Sequence, residues 1–149
     1  MIYNIIDKME YLEEVLLLEH NEWSTNHDNL EEKIKNKIIK VKNKLNDNDF
    51  CKLVLIDKDE LIGFISIFPT DGDCRLDLTP WYATMYVKKE YRGHGYSKIL
   101  NDAILKEAKK RGFNKIYLKS DLVNYYEKFG AKYIEDLEND EKLYFFDIK

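Results

Sequence analysis

The 149-residue sequence has few of the residues that mark secreted, disulfide-linked or fibrous proteins. Its two cysteines, Cys51 in a strand-like run and Cys74 in a polar loop, exclude a disulfide framework, and two prolines with six glycines exclude a collagen-like chain. No apolar run reaches the roughly 18 residues of a membrane span, and the first residues lack the basic-then-apolar pattern of a secretion signal. We therefore expect a cytoplasmic protein with reduced thiols and no membrane contact.

The charge balance is mildly acidic, with a formal net charge of -4. This balance argues against nucleic-acid binding, because phosphate neutralisation needs a basic face, and it weakly favours cationic small molecules. His20 and His27 have no partner at metal-ligand spacing, so no metal site is predicted. The length and the ordinary globular composition predict a single domain over residues 1–149, as a monomer or a homodimer.

Apolar periodicity predicts two amphipathic helices and a hairpin in the first half of the chain. Apolar residues recur at helical spacing from Met9 to Trp23 and from Leu30 to Leu45. The run CKLVLIDKDELIGFISIFP is rich in β-branched and aromatic residues around a polar DKDE, which is typical of a hairpin. WYATMYV, residues 81–87, predicts a further strand.

The second half of the chain predicts a strand-helix-strand unit followed by a final hairpin. The predicted elements are a helix from about Tyr96 or Ser97 to Gly112, a strand KIYLK, a short helix from Asp121 to Gly130, and a hairpin AKYIEDLENDEKLYFFDIK that turns at LENDE. This order favours a mixed, mostly antiparallel sheet that contains one βαβ unit.

The stretch EYRGHGYSKIL places two glycines, Gly93 and Gly95, between a strand and a helix. The first N–H groups of a helix have no internal partners and attract anions, and glycine leaves no Cβ between these amides and a ligand. The surrounding cations are Lys88, Lys89, Arg92 and Lys98. The loop matches neither a dinucleotide fingerprint nor a P-loop. It predicts a phosphate site, with a plain strand-to-helix turn as the alternative.

The segment from Val87 to Ser97, VKKEYRGHGYS, resembles the coenzyme-A loop of the GNAT-type N-acetyltransferase family. That family's pattern is Arg or Gln, two residues, Gly, one residue, then Gly or Ala; Arg92 and Gly95 match it, and Ser97 departs from it. A second motif of the same family, YYEKFG, lies at residues 125–130. The resemblance covers nearly the whole chain. It implies an α+β (α/β) three-layer fold, with helices on both faces of a twisted, mostly antiparallel sheet whose central strands splay apart.

The resemblance also implies acetyl-CoA as cosubstrate and a set of site residues. Backbone amides of the loop would bind the pyrophosphate, namely those of Arg92, Gly93, His94, Gly95, Tyr96, Ser97 and Lys98. Backbone groups of Met85 and Val87 would bind the pantetheine arm, as in strand addition. Tyr126 would be the general acid that protonates the leaving thiolate. Lys119 and Ala131 depart from the second motif, and Asn124 is the substitute candidate for a coenzyme contact.

The acceptor implied by this resemblance is a primary amine of a small molecule or peptide. Polyamines, aminoglycosides, amino acids and protein N-termini all remain open, and so does the general base, for which the candidates are Glu22, His27, Asp73 and Asp77. Two other functions are alternatives. One is a coenzyme-A-binding sensor or interaction protein without turnover, and the other is an acyltransferase that uses a different acyl group or acceptor.

Overall fold

The computed structural model describes residues 1–148, in which seven β-strands form one sheet and three α-helices pack against it. The strands are β1 (Ile2–Asn4), β2 (Cys51–Asp57), β3 (Glu60–Phe68), β4 (Trp81–Val87), β5 (Lys115–Ser120), β6 (Lys132–Asp136) and β7 (Lys142–Asp147). The helices are α1 (Leu12–Trp23), α2 (Leu30–Lys42) and α3 (Tyr96–Lys110). None of these helices combines the length and apolar character needed to cross a bilayer.

The strand order is β1-β2-β3-β4-β5-β7-β6, and every neighbouring pair is antiparallel except β4 and β5. The parallel pair aligns at one position, Trp81 opposite Tyr117, where the Tyr117 amide donates to the Pro80 carbonyl over 3.0 Å. Beyond that position the two strands separate. The predicted mixed, mostly antiparallel sheet with splayed central strands is therefore confirmed.

Side chains alternate between the two faces of the sheet and build two apolar cores. From β2, Leu53 and Leu55 pack on the α3 side, whereas Val54 and Ile56 pack on the side of α1 and α2. The fully buried residues that α3 contributes are Leu100, Ile104 and Ala108, at successive steps of four. This arrangement confirms the predicted three layers, with helices on both faces.

The structure corrects the prediction at four places. The first helix begins at Leu12, after a 3₁₀ turn over Met9–Tyr11. The sequence does not predict strand β1, which pairs with β2, because three residues are too few to show a strand pattern. The second helix ends at Lys42 and not at Leu45. The expected helix from Asp121 to Gly130 is only a 3₁₀ turn over Tyr126–Phe129, because Asn124 takes a left-handed φ of 58° that stops a helix from forming across it.

Candidate active site

Two neighbouring cavities occupy the opening between β4 and β5. The larger, of about 750 Å³, lies between the end of α1, β4 and the segment from Leu118 to Leu122. The smaller, of about 290 Å³, lies between β4, the start of α3 and Tyr125. Both cavities are lined by Glu22, Met85, Leu122 and Tyr126. These shared residues mark the place where molecules in the two cavities would meet.

A bulge in β4 accompanies this opening. Phe64 of β3 pairs with Tyr86, but Ser66, two residues further along β3, pairs with Ala83, so β4 carries one extra residue. Thr84, within the bulge, has a φ of 51°, which is rare for a β-branched residue. Bulges bend a strand and increase its twist. This one lies just past the last contact between β4 and β5, where β4 turns away.

The glycine loop leaves the N-terminus of α3 open. Gly95 is the N-cap residue with a φ of 83°, and among residues 1–148 no side chain caps the helix, so its first amides lack a side-chain acceptor there. A Cβ at Gly93 or at Gly95 would meet no atom of residues 1–148 within 4 Å apart from those of the adjoining chain, so open space lies in front of both. Unpaired amides that face free space at the start of a 15-residue helix fit the diphosphate of a coenzyme A molecule.

Arg92 ties this loop to β4. Its Nε donates a hydrogen bond of 2.8 Å to the Val87 carbonyl, and its guanidinium carbon lies 5.5 Å from the centre of the Tyr86 ring. Arg92 also lines the smaller cavity, together with Ser97 of α3. The side chain therefore fixes the loop against the strand and keeps its charge at the edge of the cavity.

The loop is less positively charged than the sequence predicts. Lys88 forms an ion pair of 2.7 Å with Glu14 of α1 and lies 3.9 Å from Glu60. Lys98 forms an ion pair of 2.7 Å with Asp102, one helical turn further along α3. Both lysines have carboxylate partners within the protein, so the unpaired amides carry more of the anion attraction than the four cations suggest.

Tyr126 lies at the junction of the two cavities, among aromatic rings. Its ring is perpendicular to those of Tyr125 and Tyr82, with centroids 4.8 Å and 5.7 Å away. Burial, with a smaller effect from Tyr125 and Asp121, raises the pKa of Tyr126 to about 12. The hydroxyl therefore stays protonated at neutral pH and can donate a proton or a hydrogen bond.

Three of the four base candidates lie away from this junction. Asp77 accepts two hydrogen bonds of 3.0 Å from Arg75, and this pairing lowers the pKa of its carboxyl. Asp73 lines a third cavity, of about 550 Å³, which does not include Tyr126. The His27 ring packs against that of His20 with centroids 4.9 Å apart.

Glu22 is the base candidate that lies at the junction. It is an exposed residue in the last turn of α1 and lines both cavities. The next residue, Trp23, packs edge-on against Tyr86 of β4 with ring centroids 6.4 Å apart. This aromatic contact holds the end of α1 at the opening of the sheet.

The structure brings together some of the predicted coenzyme residues but not others. Those that line the smaller cavity are Met85, Val87, Arg92 and Ser97. Those that form the open loop and the first turn of α3 outside it are Gly93, His94, Gly95, Tyr96 and Lys98. Asn124 is exposed and lines neither cavity of the opening. The sequence reasoning missed Leu122 and Tyr125 as lining residues, although both lie within four residues of Tyr126.

An open helix N-terminus beside splayed strands, with a tyrosine where two cavities meet, suits an enzyme that binds an anionic cosubstrate next to a second substrate. The model of the acetyltransferase (GNAT) family matches residues 9–131. The chain belongs to this family. It is therefore an acetyltransferase, which confirms the enzyme class predicted from its motifs, and the predicted acetyl-CoA cosubstrate agrees with this family.

Solved structures with the same fold extend over the whole chain. An N-acetyltransferase from Staphylococcus aureus Mu50 is 21% identical with a TM-score of 0.76, and the match covers 100% of this chain and 98% of that one. An aminoglycoside 6'-acetyltransferase type Ii is 21% identical, with a TM-score of 0.69. An aminoglycoside 6'-N-acetyltransferase complexed with coenzyme A is 18% identical, with a TM-score of 0.70. The last two matches cover 100% of this chain and 97% of the other. No curated protein has a significantly matching sequence.

Proposed function

We propose that this protein moves an acetyl group from acetyl-CoA to a primary amine of a small cationic molecule or peptide, by direct attack in a ternary complex. Residues 1–149 act as one catalytic domain in the cytoplasm, with Tyr126 as the general acid. The observation that carries this proposal is the position of Tyr126 on the wall shared by two cavities. One cavity leads to the open start of α3, and the other has an acidic lining.

The coenzyme site is assigned to the smaller cavity and the glycine loop. The amides from Arg92 to Lys98 hold the diphosphate, and the backbone of Met85 and Val87, on the strand edge released by β5, binds the pantetheine amides. The cosubstrate supplies an activated acetyl thioester at the junction. Asn124 lines neither cavity and lies outside the loop, so it is the weakest member of the set.

Tyr126 provides the proton for the sulfur. As the amine nitrogen bonds to the acetyl carbon, the carbon–sulfur bond breaks and a thiolate departs. Tyr126 gives its hydroxyl proton to this sulfur as the carbon–sulfur bond breaks, and burial, which raises the pKa of the phenol, also makes the departing thiolate a stronger base than in water. Glu22 accepts the proton that the amine loses, directly or through a water molecule.

The acidic lining of the larger cavity supports a cationic acceptor. Its lining contains four carboxylates and one cation. The carboxylates are Glu22, Asp71, Asp121 and Glu141, and the cation is Lys119. Burial raises the pKa of Asp71, and the neighbouring Lys119 opposes this effect. At least three of the structures with this fold are aminoglycoside acetyltransferases, and aminoglycosides carry several amino groups. A molecule with more than one ammonium group suits this cavity best.

The test is thiol release from acetyl-CoA by purified protein with a panel of diamines, aminoglycosides, amino acids and peptides. Release that requires an amine is expected, and Tyr126→Phe should lower kcat about a hundredfold or more while leaving coenzyme A affinity unchanged. Tyr125→Phe, at the adjacent ring of the smaller cavity, is the matched control and should keep most activity. Tight coenzyme binding without release from any acceptor would instead indicate a sensor.

A further inference from the structure

A buried polar chain connects α1 to the bulge in β4. Lys52 of β2 is 2% exposed, and its ammonium group is ion-paired with Glu19 of α1. The same Nζ donates a hydrogen bond of 3.2 Å to the hydroxyl of Ser66, which is fully buried in β3. The Ser66 hydroxyl is in turn hydrogen-bonded to that of Thr84 over 2.7 Å. Hydrogen bonds thus connect the buried ammonium group of Lys52 to Thr84, the strand residue with the positive φ.

The position of Lys52 is fixed from several sides. Its Nζ lies 4.9 Å from the ring centre of Phe68 and 6.0 Å from that of Phe50, and these two rings stack on each other. Since a buried ammonium needs its partners, the ion pair with Glu19 and the bond to Ser66 leave it little freedom. The donor that reaches Ser66 is therefore rigid.

Thr84 needs such a restraint. A β-branched side chain at φ 51° persists only where its surroundings enforce that conformation. Thr84 lines the larger cavity, and the next residues of β4, Met85 to Val87, line the smaller one. A change in the bulge would therefore move both the wall of the larger cavity and the part of β4, Met85 to Val87, that we propose binds the pantetheine arm.

We propose that Lys52, paired with Glu19, acts through Ser66 as a positioning residue that holds Thr84 in the bulge and keeps β4 open for coenzyme A. This inference rests on the proposed function for its catalytic consequence. The alternative is that the chain of hydrogen bonds only stabilises the fold, as buried ion pairs and hydrogen bonds can.

Ser66→Ala separates these roles with the least disturbance, because it removes one hydroxyl and leaves the ion pair in place. We expect coenzyme A affinity, measured by calorimetry at a temperature where the variant is fully folded, to fall about fivefold to tenfold, the size of one buried hydrogen bond. Amide hydrogen exchange from Thr84 to Val87 should quicken. The double variant Lys52→Met with Glu19→Gln should change both readouts in the same direction.

Two substitutions at Thr84 complete the test. Thr84→Ser keeps the hydroxyl and should retain wild-type affinity. Thr84→Gly, placed in the Ser66→Ala background, should recover affinity, because glycine adopts the positive φ without a restraint. Unchanged affinity and exchange in folded Ser66→Ala would overturn the proposal. A wild-type protein that binds coenzyme A but acetylates no amine would refute the proposed function alone, since neither readout depends on turnover.

Discussion

The ring of Tyr126 stands edge-on to the ring of Tyr82, with their planes at 80° and their centroids 5.7 Å apart. Tyr82 belongs to β4, and its hydroxyl donates a hydrogen bond of 2.8 Å to the Oδ1 atom of Asn101 in α3. Tyr126 follows β5 in the chain. The contact therefore bridges the opening of the sheet and places the proposed acid against an anchored neighbour.

The raised pKa of Tyr126 predicts a loss of stability at alkaline pH. Its folded-state pKa of about 12 exceeds the ordinary value of 10.0, so folding favours the neutral phenol. This contribution is complete below pH 10 and is lost as the pH rises from there to about 12. Tyr126→Phe should therefore lose less unfolding free energy than the wild type as the pH rises from about 10 to about 12 in urea denaturation. Equal losses in the two proteins would contradict the buried state of the hydroxyl.

Removing the carboxylate of Glu22 should impair the reaction more at neutral pH than at alkaline pH. Glu22→Gln should lower kcat/KM by about a hundredfold at neutral pH if the carboxylate accepts the amine proton. The loss should shrink as the pH approaches the pKa of the amine, about 10.4 for a lysine-like group, because more of the amine then binds already neutral and hydroxide increasingly accepts the remaining proton. A pH-rate profile of both proteins measures this. Asp77→Asn, whose carboxylate pairs with Arg75, is the control and should leave the profile unchanged.

Substitutions at two glycines with similar backbone conformations distinguish an effect on coenzyme A binding from an effect on stability. Gly95 and Gly112 have φ of 83° and 92°, and a Cβ at either would meet no atom within 4 Å in the described part of the chain beyond its own chain neighbours. Gly95→Ala and Gly112→Ala should each cost about 1 kcal/mol of stability from backbone strain. Only Gly95→Ala should weaken coenzyme A binding, as measured by calorimetry. Unchanged affinity in Gly95→Ala, or an equal loss in Gly112→Ala, would remove the loop from the coenzyme site.

A substitution at Gly63 of β3 tests whether the packing of β3 against β4 shapes the edge of β4 that we propose binds coenzyme A. A Cβ at Gly63 would lie 2.4 Å from the Tyr86 carbonyl oxygen and 3.2 Å from the Val87 Cα atom, so backbone must move. Gly63→Ala should cost about 1–3 kcal/mol and should also raise the KM for acetyl-CoA, because it pushes β4 from β3. Thermal unfolding and steady-state kinetics measure the two effects. A loss of stability with an unchanged KM would show that the edge from Tyr86 to Val87 does not bind the cosubstrate.

Most of the helices and strands could be predicted from the sequence because their signals are local. The start of α3 at Tyr96 and its stop before Gly112 depend on glycines and apolar spacing within a few residues. The turn between β2 and β3 depends on Lys58 and Asp59, which both take positive φ. The helix expected from Asp121 failed because Asn124 adopts a left-handed conformation that its residue type permits but does not require.

The sequence by itself determined most of the helices and strands and the glycine loop, since hydrophobic period and backbone freedom act over short stretches of chain. Only the tertiary structure decided that Glu22, Met85 and Tyr126 line one junction, because these residues come from separate elements joined by strand pairing and helix packing. It also decided that Lys88 is neutralised by Glu14, and that β4 bulges at Thr84. Ion pairing and strand register depend on distances between remote parts of the chain, which no local pattern encodes.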